Sequence, residues 1–498
     1  MSMDSSKIIS LEDYARHSNQ LPREEEALVF ALNLCALLQP QDGGYPLLSP
    51  RNIYIENDAN WVTAQTPSTN DPAEALFRAG AVLHYLIART PFRISYYLDG
   101  PPQVRERNPQ ISVRFEAIVS KLLQNQRALR YASVAELESD LQRLKEELTG
   151  DWPVNWQCFK GNALRTALVN APEWNPSGET LKEVWRAPIG EIWASVVMAG
   201  ENLFVGSGDG NFYSIDSATG KVVWKLPLGA RIESTACLNK NVAYVGCDMG
   251  ILFAIQLRNG SILWKKSLSE YIRSSPYCNG EQVFVGSISP EKKSGMFWAL
   301  RADNGSTSWK RAMGPVFSSP VVDQDDIFIG SDDETFYCLG TNGALKWQTS
   351  LAGKIRSTAA LAREFLYAGG FGGAFYKIRK GTGEVMWRNE NAGSMYSSPA
   401  IGKGVVTAGN NSGAVQFFQV NGGKLKASFS TGGPVTASPL LVNQFALIGS
   451  NDGQLYVLDS LGKSVCSFDA KAPINSSAFF HNDRIYFGSD NGLHALSL

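Results

Sequence analysis

Eight positions, spaced about forty residues apart, carry side chains suited to holding a ligand: Trp193, Glu233, Arg273, Phe317, Arg356, Tyr396, Thr436 and Asn475. Aromatic rings offer contact area and arginine offers forked, charge-assisted hydrogen bonds, so such a set binds out of proportion to its size. The expected occupant is a peptide, an acidic side chain or a small anion. The competing expectation is internal, with Arg273 and Arg356 pairing with Glu233 or with backbone carbonyls and plugging the space. Acid–base catalysis needs two titratable groups within reach, and Glu233 is the only acid among the eight. Binding without a reaction is therefore expected. No metal chemistry is expected either, because His17, His84, His481 and His494 stand far apart without ligand spacing. Gly208-Asp209-Gly210 and Asn451-Asp452-Gly453 read as hairpin turns, and no helix follows Gly210 to make a dinucleotide loop.

The elements that position these residues are legible from repetition. An apolar-apolar-Gly-polar phrase recurs at Gly206, Gly246, Gly286, Gly330, Gly369, Gly409, Gly449 and Gly488, at intervals of 39 to 44 residues. The longest interval carries the insertion Ser289-Pro290-Glu291-Lys292-Lys293-Ser294. Four short strands per period is the mark of a β-propeller, whose blades bury their faces only against one another. Each innermost strand opens on a small pair, such as Ser274-Ser275 or Ser357-Thr358, as convergence on a narrow axis requires. Each outermost strand usually ends in a large ring: Trp224, Trp264, Trp309, Trp347, Trp387, Phe429 or Phe468. The strand at 182–188, with Trp185, precedes the first unit, whereas the last unit lacks an outermost strand. The expectation is that it completes the final blade and closes a ring of eight, removing two open sheet edges.

Bulk properties narrow the function classes. At 498 residues two or more units are expected, and a net charge of -1 gives no electrostatic reason for nucleic acid or an anionic membrane surface. Seven dispersed cysteines (Cys35, Cys158, Cys237, Cys247, Cys278, Cys338, Cys466) read as free thiols of a reducing compartment. The first nine residues lack the basic and apolar run of a signal peptide, and the longest apolar stretch, 27–38, is too short to span a bilayer. A cytoplasmic location without membrane insertion is expected.

The segment Asp216-Ser217-Ala218-Thr219-Gly220-Lys221-Val222-Val223-Trp224 resembles the docking motif of quinoprotein-like, PQQ-type eight-bladed propellers, with weaker copies at 377–387 and 340–347. The lead-in Trp156-Gln157-Cys158-Phe159-Lys160-Gly161-Asn162, with Arg165-Thr166, resembles the segment that precedes such propellers. The likeness covers about 152–498. The quinoprotein dehydrogenases it implies carry an adjacent cysteine pair and a calcium site of acidic and amide side chains. No two cysteines adjoin here, so the chain looks more like non-catalytic members such as the outer-membrane assembly lipoprotein, and no cofactor is expected.

Residues 1–150 have helical periodicity instead. Ser10-Leu11-Glu12-Asp13-Tyr14, the frame Leu47-Leu48-Ser49-Pro50-Arg51-Asn52-Ile53, the stretch Ala79-Gly80-Ala81-Val82-Leu83 and Arg105-Glu106-Arg107-Asn108-Pro109 resemble, in order, the C-lobe of a serine/threonine protein kinase. The resemblance places Tyr45, Pro46 and Leu47 where a kinase has its catalytic His-Arg-Asp, and Gln65-Thr66-Pro67 near its metal-binding Asp-Phe-Gly. Of the catalytic and metal-binding positions, Asn52 alone, at the second-metal position, keeps its family identity. Without a catalytic Asp or a glycine-rich cover, phosphoryl transfer has no machinery.

The expected architecture is a small, mainly-α, kinase-C-lobe-like domain (1–150), a connector packing on the propeller (151–181) and an all-β eight-bladed propeller (182–498). The expected function is a non-enzymatic scaffold or adaptor binding protein partners in a bacterial signalling, defence or assembly complex. The alternative is a small-ligand sensor holding an anion or metabolite in the funnel, with Trp193, Glu233, Arg273, Phe317, Arg356 and Tyr396 at its rim.

Overall fold

The computed structural model of the chain describes residues 9–13, 21–22, 24–39, 45–49, 51, 53–57, 60–63, 68–89, 104–108, 111–149 and 152–498 apart from 290, 292 and 403. It forms two compact units, Met1–Asp151 and Trp152–Leu498. No helix among the described residues is long and apolar enough to cross a membrane.

In the first unit, the described helices are Glu24–Leu37, Pro72–Ala88, Val104–Arg107, Val113–Leu122 and Val134–Thr149, with short strand pairs between the first two. Helix Pro72–Ala88 starts where its sequence says it should. Pro72 fits the first turn, and the Asp71 carboxylate accepts the Ala73 N–H at 3.0 Å. Its apolar residues occupy most of its circumference, so it is the core helix, packed with Leu28, Leu34, Phe115 and Leu141. Asn52 and Gln65-Thr66-Pro67 lie outside the described residues.

The second unit is an all-β, eight-bladed propeller whose blades are each built on four antiparallel strands. Blade 2 is typical, with strands Cys237–Asn239, Val242–Gly246, Ile251–Gln256 and Ile262–Ser267. Blade 8 takes its outermost strand, Lys182–Ala187, from the start of the ring, in register Ala495↔Trp185 and Ser497↔Lys182. Each outermost strand pairs through a bulge at the same place, which turns its ring toward the next blade.

Two recurrent contacts join the blades. The indole N–H of Trp224 donates to the Leu257 carbonyl at 2.9 Å, and Trp185, Trp264, Trp309, Trp347 and Trp387 do likewise at 2.7–3.1 Å. Each of these indoles lies flat against a glycine of the next blade, Gly260 beneath Trp224, at φ 73°. A side chain there would be strained and would strike the ring, which is the physical content of the Thr-Gly-Lys…Trp motif. The second contact concerns the phrase glycines, which are not turn residues. A Cβ on Gly246 would stand 2.2 Å from Ile272 Cγ2 of the following blade, and Gly206 meets Ile232 at the same distance. Seven of the eight phrase glycines make room for a β-branched side chain, and Gly369 makes room for Met395.

The segment 151–181 is more than the connector expected from its sequence. Val154–Trp156 adds a fifth strand to blade 1, and Leu168–Val169 adds one to blade 7. Trp174 is buried edge-on against Phe445 and Phe480. Nothing in the local pattern signals this, since its partners lie far along the chain, as Phe445 and Phe480 do from Trp174.

The closing sheet also carries a pH response. His494 is buried, with Nδ1 2.7 Å from Glu183 Oε1 on the closing strand and Nε2 2.8 Å from Ser489 Oγ. Burial holds its pKa below the ordinary imidazole range, although the Glu183 carboxylate pulls the other way. The unfolded chain then binds more protons than the folded one at mildly acidic pH, so stability falls as pH drops through the ordinary imidazole range. Urea midpoints measured at pH 7 and pH 5 should show this fall, and His494→Leu should flatten it. An unchanged slope in the variant would assign the response to other groups.

Candidate functional site

The innermost strands begin at one face of the ring and run toward the other, so the residue before each small pair faces the mouth of a central space. The second residue of each pair supplies a hydroxyl. The Ser195 N–H donates to Thr235 Oγ1 at 2.8 Å, the Thr235 N–H to Ser275 Oγ at 3.0 Å, and so on through Ser319, Thr358, Ser398, Ser438 and Ser477. The Ser477 N–H returns to Ser195 Oγ at 3.3 Å, closing an eight-membered ring of hydrogen bonds. Sterics alone suggested small residues here. The structure adds that a hydroxyl is needed, because each inner-strand N–H would otherwise be buried without an acceptor.

The space is a cup, not a channel. Its floor includes Phe159, from the segment 152–171 that winds round the inner edges of the blades. The Gln157, Ala163, Leu164, Thr166 and Ala167 carbonyls accept N–H groups of blades 2, 4, 5, 6 and 7 at 2.7–3.1 Å. Arg165 is fully buried and donates to the carbonyls of Phe159, Pro320 and Pro276 at 2.6, 3.1 and 3.5 Å. Lys160 donates to the Ser398 and Pro399 carbonyls. Burial, with the Arg165 charge beside it, pushes its ammonium well below the usual lysine range.

All eight anticipated positions line this cup of about 340 Å³: Trp193, Glu233, Arg273, Phe317, Arg356, Tyr396, Thr436 and Asn475. The arginines are engaged, though mainly by partners that the eight positions do not include. Arg273 forms a fork on Asp248 at 3.2 and 3.0 Å and reaches Glu233 at 3.3 Å. Arg356 forks onto Asp332, at 2.8 Å for its shortest bond, and lies 4.0 Å over the Phe317 ring. Arg231 sits over Trp193 and bridges Glu191 and Glu233. Burial raises the Glu233 carboxyl pKa, with Arg273 and Arg231 opposing and Asp248 and Glu191 adding to the rise. Asp490 is raised in the same way, by burial and then by Glu191.

Glu233 is the only acid among the eight positions, but it is not the only acid at the mouth. Asp248, Asp332 and Asp490 stand there too, because the turn after each phrase glycine returns to the same face, and Glu191 joins them from two residues before Trp193. The signal was present in Cys247-Asp248, Ser331-Asp332 and Ser489-Asp490, each directly after the phrase glycine.

The family model described as outer membrane protein assembly factor BamB matches residues 175–246, 233–318 and 293–444. Among solved structures, BamB from Moraxella catarrhalis aligns with a TM-score of 0.57 at 19% identity, covering 64% of this chain and 99% of that one. A europium-containing methanol dehydrogenase aligns with a TM-score of 0.60 at 12% identity, over 71% of this chain and 99% of its own. A quinohemoprotein alcohol dehydrogenase from Comamonas testosteroni gives 0.60 at 12%, over 72% and 82%. At such identities the likeness is one of fold. No curated protein matches the chain.

The dehydrogenases raise the question of a quinone held over a cation, and the cup does not fit one. Glu233 and Asp248 share Arg273, and Asp332 is paired with Arg356, so none of the three is free to ligate a cation. No cluster of three His, Cys, Asp or Glu side chains among the described residues is placed to hold a metal. With more than half its length matched by one model, and with eight blades closed on themselves, the chain belongs to the PQQ-like, BamB-type propeller family.

Proposed function

We propose that this protein is a non-enzymatic scaffold or adaptor, cytoplasmic, whose propeller receives a protein partner at the mouth of the cup. The observation that carries this is the state of the rim. Aromatic faces and arginine forks, held rigid by internal ion pairs, suit recognition, because little side-chain freedom remains to be lost on binding. The BamB likeness supports a protein partner, and the cysteines, all free, support a reducing compartment.

For residues 1–150 we propose a degenerate kinase C-lobe serving as a second docking module in a bacterial signalling, defence or assembly complex. The order of helix, short strand pairs, buried core helix and further helices supports it.

The scaffold reading is tested by affinity capture from the native host with the whole chain and its Trp193→Ala/Phe317→Ala variant. A partner held by the rim should fall at least about tenfold in recovery, as loss of aromatic anchors implies. Equal recovery by both proteins would remove the rim from the function.

One observation favours the sensor alternative. Phe159, in the cup floor, belongs to the segment that continues directly from the first unit, so an occupant of the cup would touch the chain that leaves the helical domain. A reproducible rise in melting temperature with one anion, sugar or nucleotide would favour that reading.

A further inference from the structure

We propose that a cleft beside the cup, between the blade 3 insertion and blades 4 and 5, binds the carboxylate of an acidic peptide segment through Lys293 and Lys354. The proposal rests on the reading of the cup as a protein-recognition surface and names the chemistry of the segment it would take.

The cleft exists because blade 3 departs from the repeat. Its hairpin strands, Gln282–Ser289 and Ser294–Arg301, have eight residues each, against five and six in blade 2. The extra length raises Lys293 at the tip of a wall above blade 4 and encloses about 450 Å³ lined by Ile288, Phe317, Lys293, Lys354, Arg356 and the Asp332–Asp333 turn. Phe317 and Arg356 line the cup as well, so the two spaces adjoin.

Charge bookkeeping leaves this cleft cationic. Asp332 is taken by Arg356 at 2.8 Å. Asp333 accepts the Gly314 N–H at 2.9 Å, the Tyr337 hydroxyl at 2.8 Å and the Thr335 N–H at 3.1 Å. Lys293 and Lys354 are exposed, and neither forms an ion pair with any described residue. Across the mouth the sign reverses, since Glu191, Glu233, Asp248 and Asp490 outnumber Arg231 and Arg273. An anionic side chain is therefore drawn to the insertion side and repelled from the far arc.

The geometry favours a peptide over a free ion. Two flexible exposed lysines hold a simple anion weakly in salt. Phe317, half-buried, gives an adjoining segment an apolar contact, and the cleft runs on into a cup rimmed by rings and hydroxyls.

The test is fluorescence anisotropy on the whole chain, with a labelled octapeptide of alternating glutamate and phenylalanine. Controls are the same peptide with lysine for glutamate, and free glutamate or inorganic phosphate as competitors. The acidic peptide should bind, and Lys293→Ala/Lys354→Ala should weaken it about tenfold, as loss of two charge-assisted contacts implies, while flattening its salt dependence. Both residues are exposed, so unchanged thermal melting should show that the variant folds. Equal affinity for the acidic and basic peptides, no change in the double variant, or complete displacement by millimolar phosphate would overturn the proposal. If only the Trp193→Ala/Phe317→Ala variant loses native partners and the lysines prove idle, the recognition cup stands and this cleft falls. If native capture survives the aromatic variant while the peptide still needs the lysines, the reverse holds.

Discussion

Arg165→Ala should destabilise the propeller unit by about 3–5 kcal/mol, because it leaves buried carbonyls without their charged donor and a cavity where a fully buried side chain stood. The side chain ties the lead-in segment to blades 3 and 4 through the Pro276 and Pro320 carbonyls, and to its own turn through Phe159. That turn is itself costly, since Lys160, Arg165 and Ala167 have φ values of 61°, 56° and 49°, in the left-handed region that non-glycine residues avoid. Removing the guanidinium therefore loses the bonds that hold the strained path in place. Urea unfolding followed by tryptophan fluorescence should show the loss as a lower midpoint. Arg165→Lys, which keeps the charge but not the fork, should recover only part of it. A loss of unfolding free energy below about 1 kcal/mol in the alanine variant would mean that the segment is held by its backbone bonds alone.

Gly488→Ala is expected to cost about 2–3 kcal/mol, at the upper end for a single methyl forced into a packed interior. A Cβ at Gly488 would stand 2.2 Å from Cγ2 and 2.4 Å from Cβ of Ile192, at the junction where blade 8 meets blade 1. Neither neighbour can retreat. Gly488 lies within strand Arg484–Ser489, and the Ile192 N–H is bonded to the Ser489 carbonyl at 2.9 Å. The double-mutant cycle makes the argument specific. In an Ile192→Gly background the added methyl should cost much less, because both Cγ2 and Cβ of residue 192 are then gone. Additive losses would show that the glycine serves another purpose, and an unperturbed Gly488→Ala protein would refute the packing account.

The parts of this molecule legible in its sequence are those that the ring repeats. Gly246 and Trp224 recur because every blade meets the same neighbour at the same distance, so one steric demand is written eight times with small variations. The rim was half legible for the same reason. The residues before the small pairs sit at a fixed offset, whereas Asp248, Asp332 and Asp490 reach the mouth from a different turn and look like ordinary hairpin aspartates. Phe159, Lys160 and Arg165 were legible only by likeness. Their partners are backbone carbonyls and N–H groups, which every residue possesses, so no side-chain pattern marks which blades they touch.

The strand Lys182–Ala187 finds its partner, Gly492–Ser497, only after more than three hundred further residues have been made. At ordinary rates of synthesis that is a delay of roughly 15–60 s. For that time the nascent chain has no seam to seal, and blades that already exist expose interfaces meant for neighbours. Val222, Val223, Ile262 and Leu263 remain accessible even in the finished molecule and add to the apolar surface presented meanwhile. Production of this protein should therefore depend on holdase capacity and translation speed more steeply than its final stability would suggest.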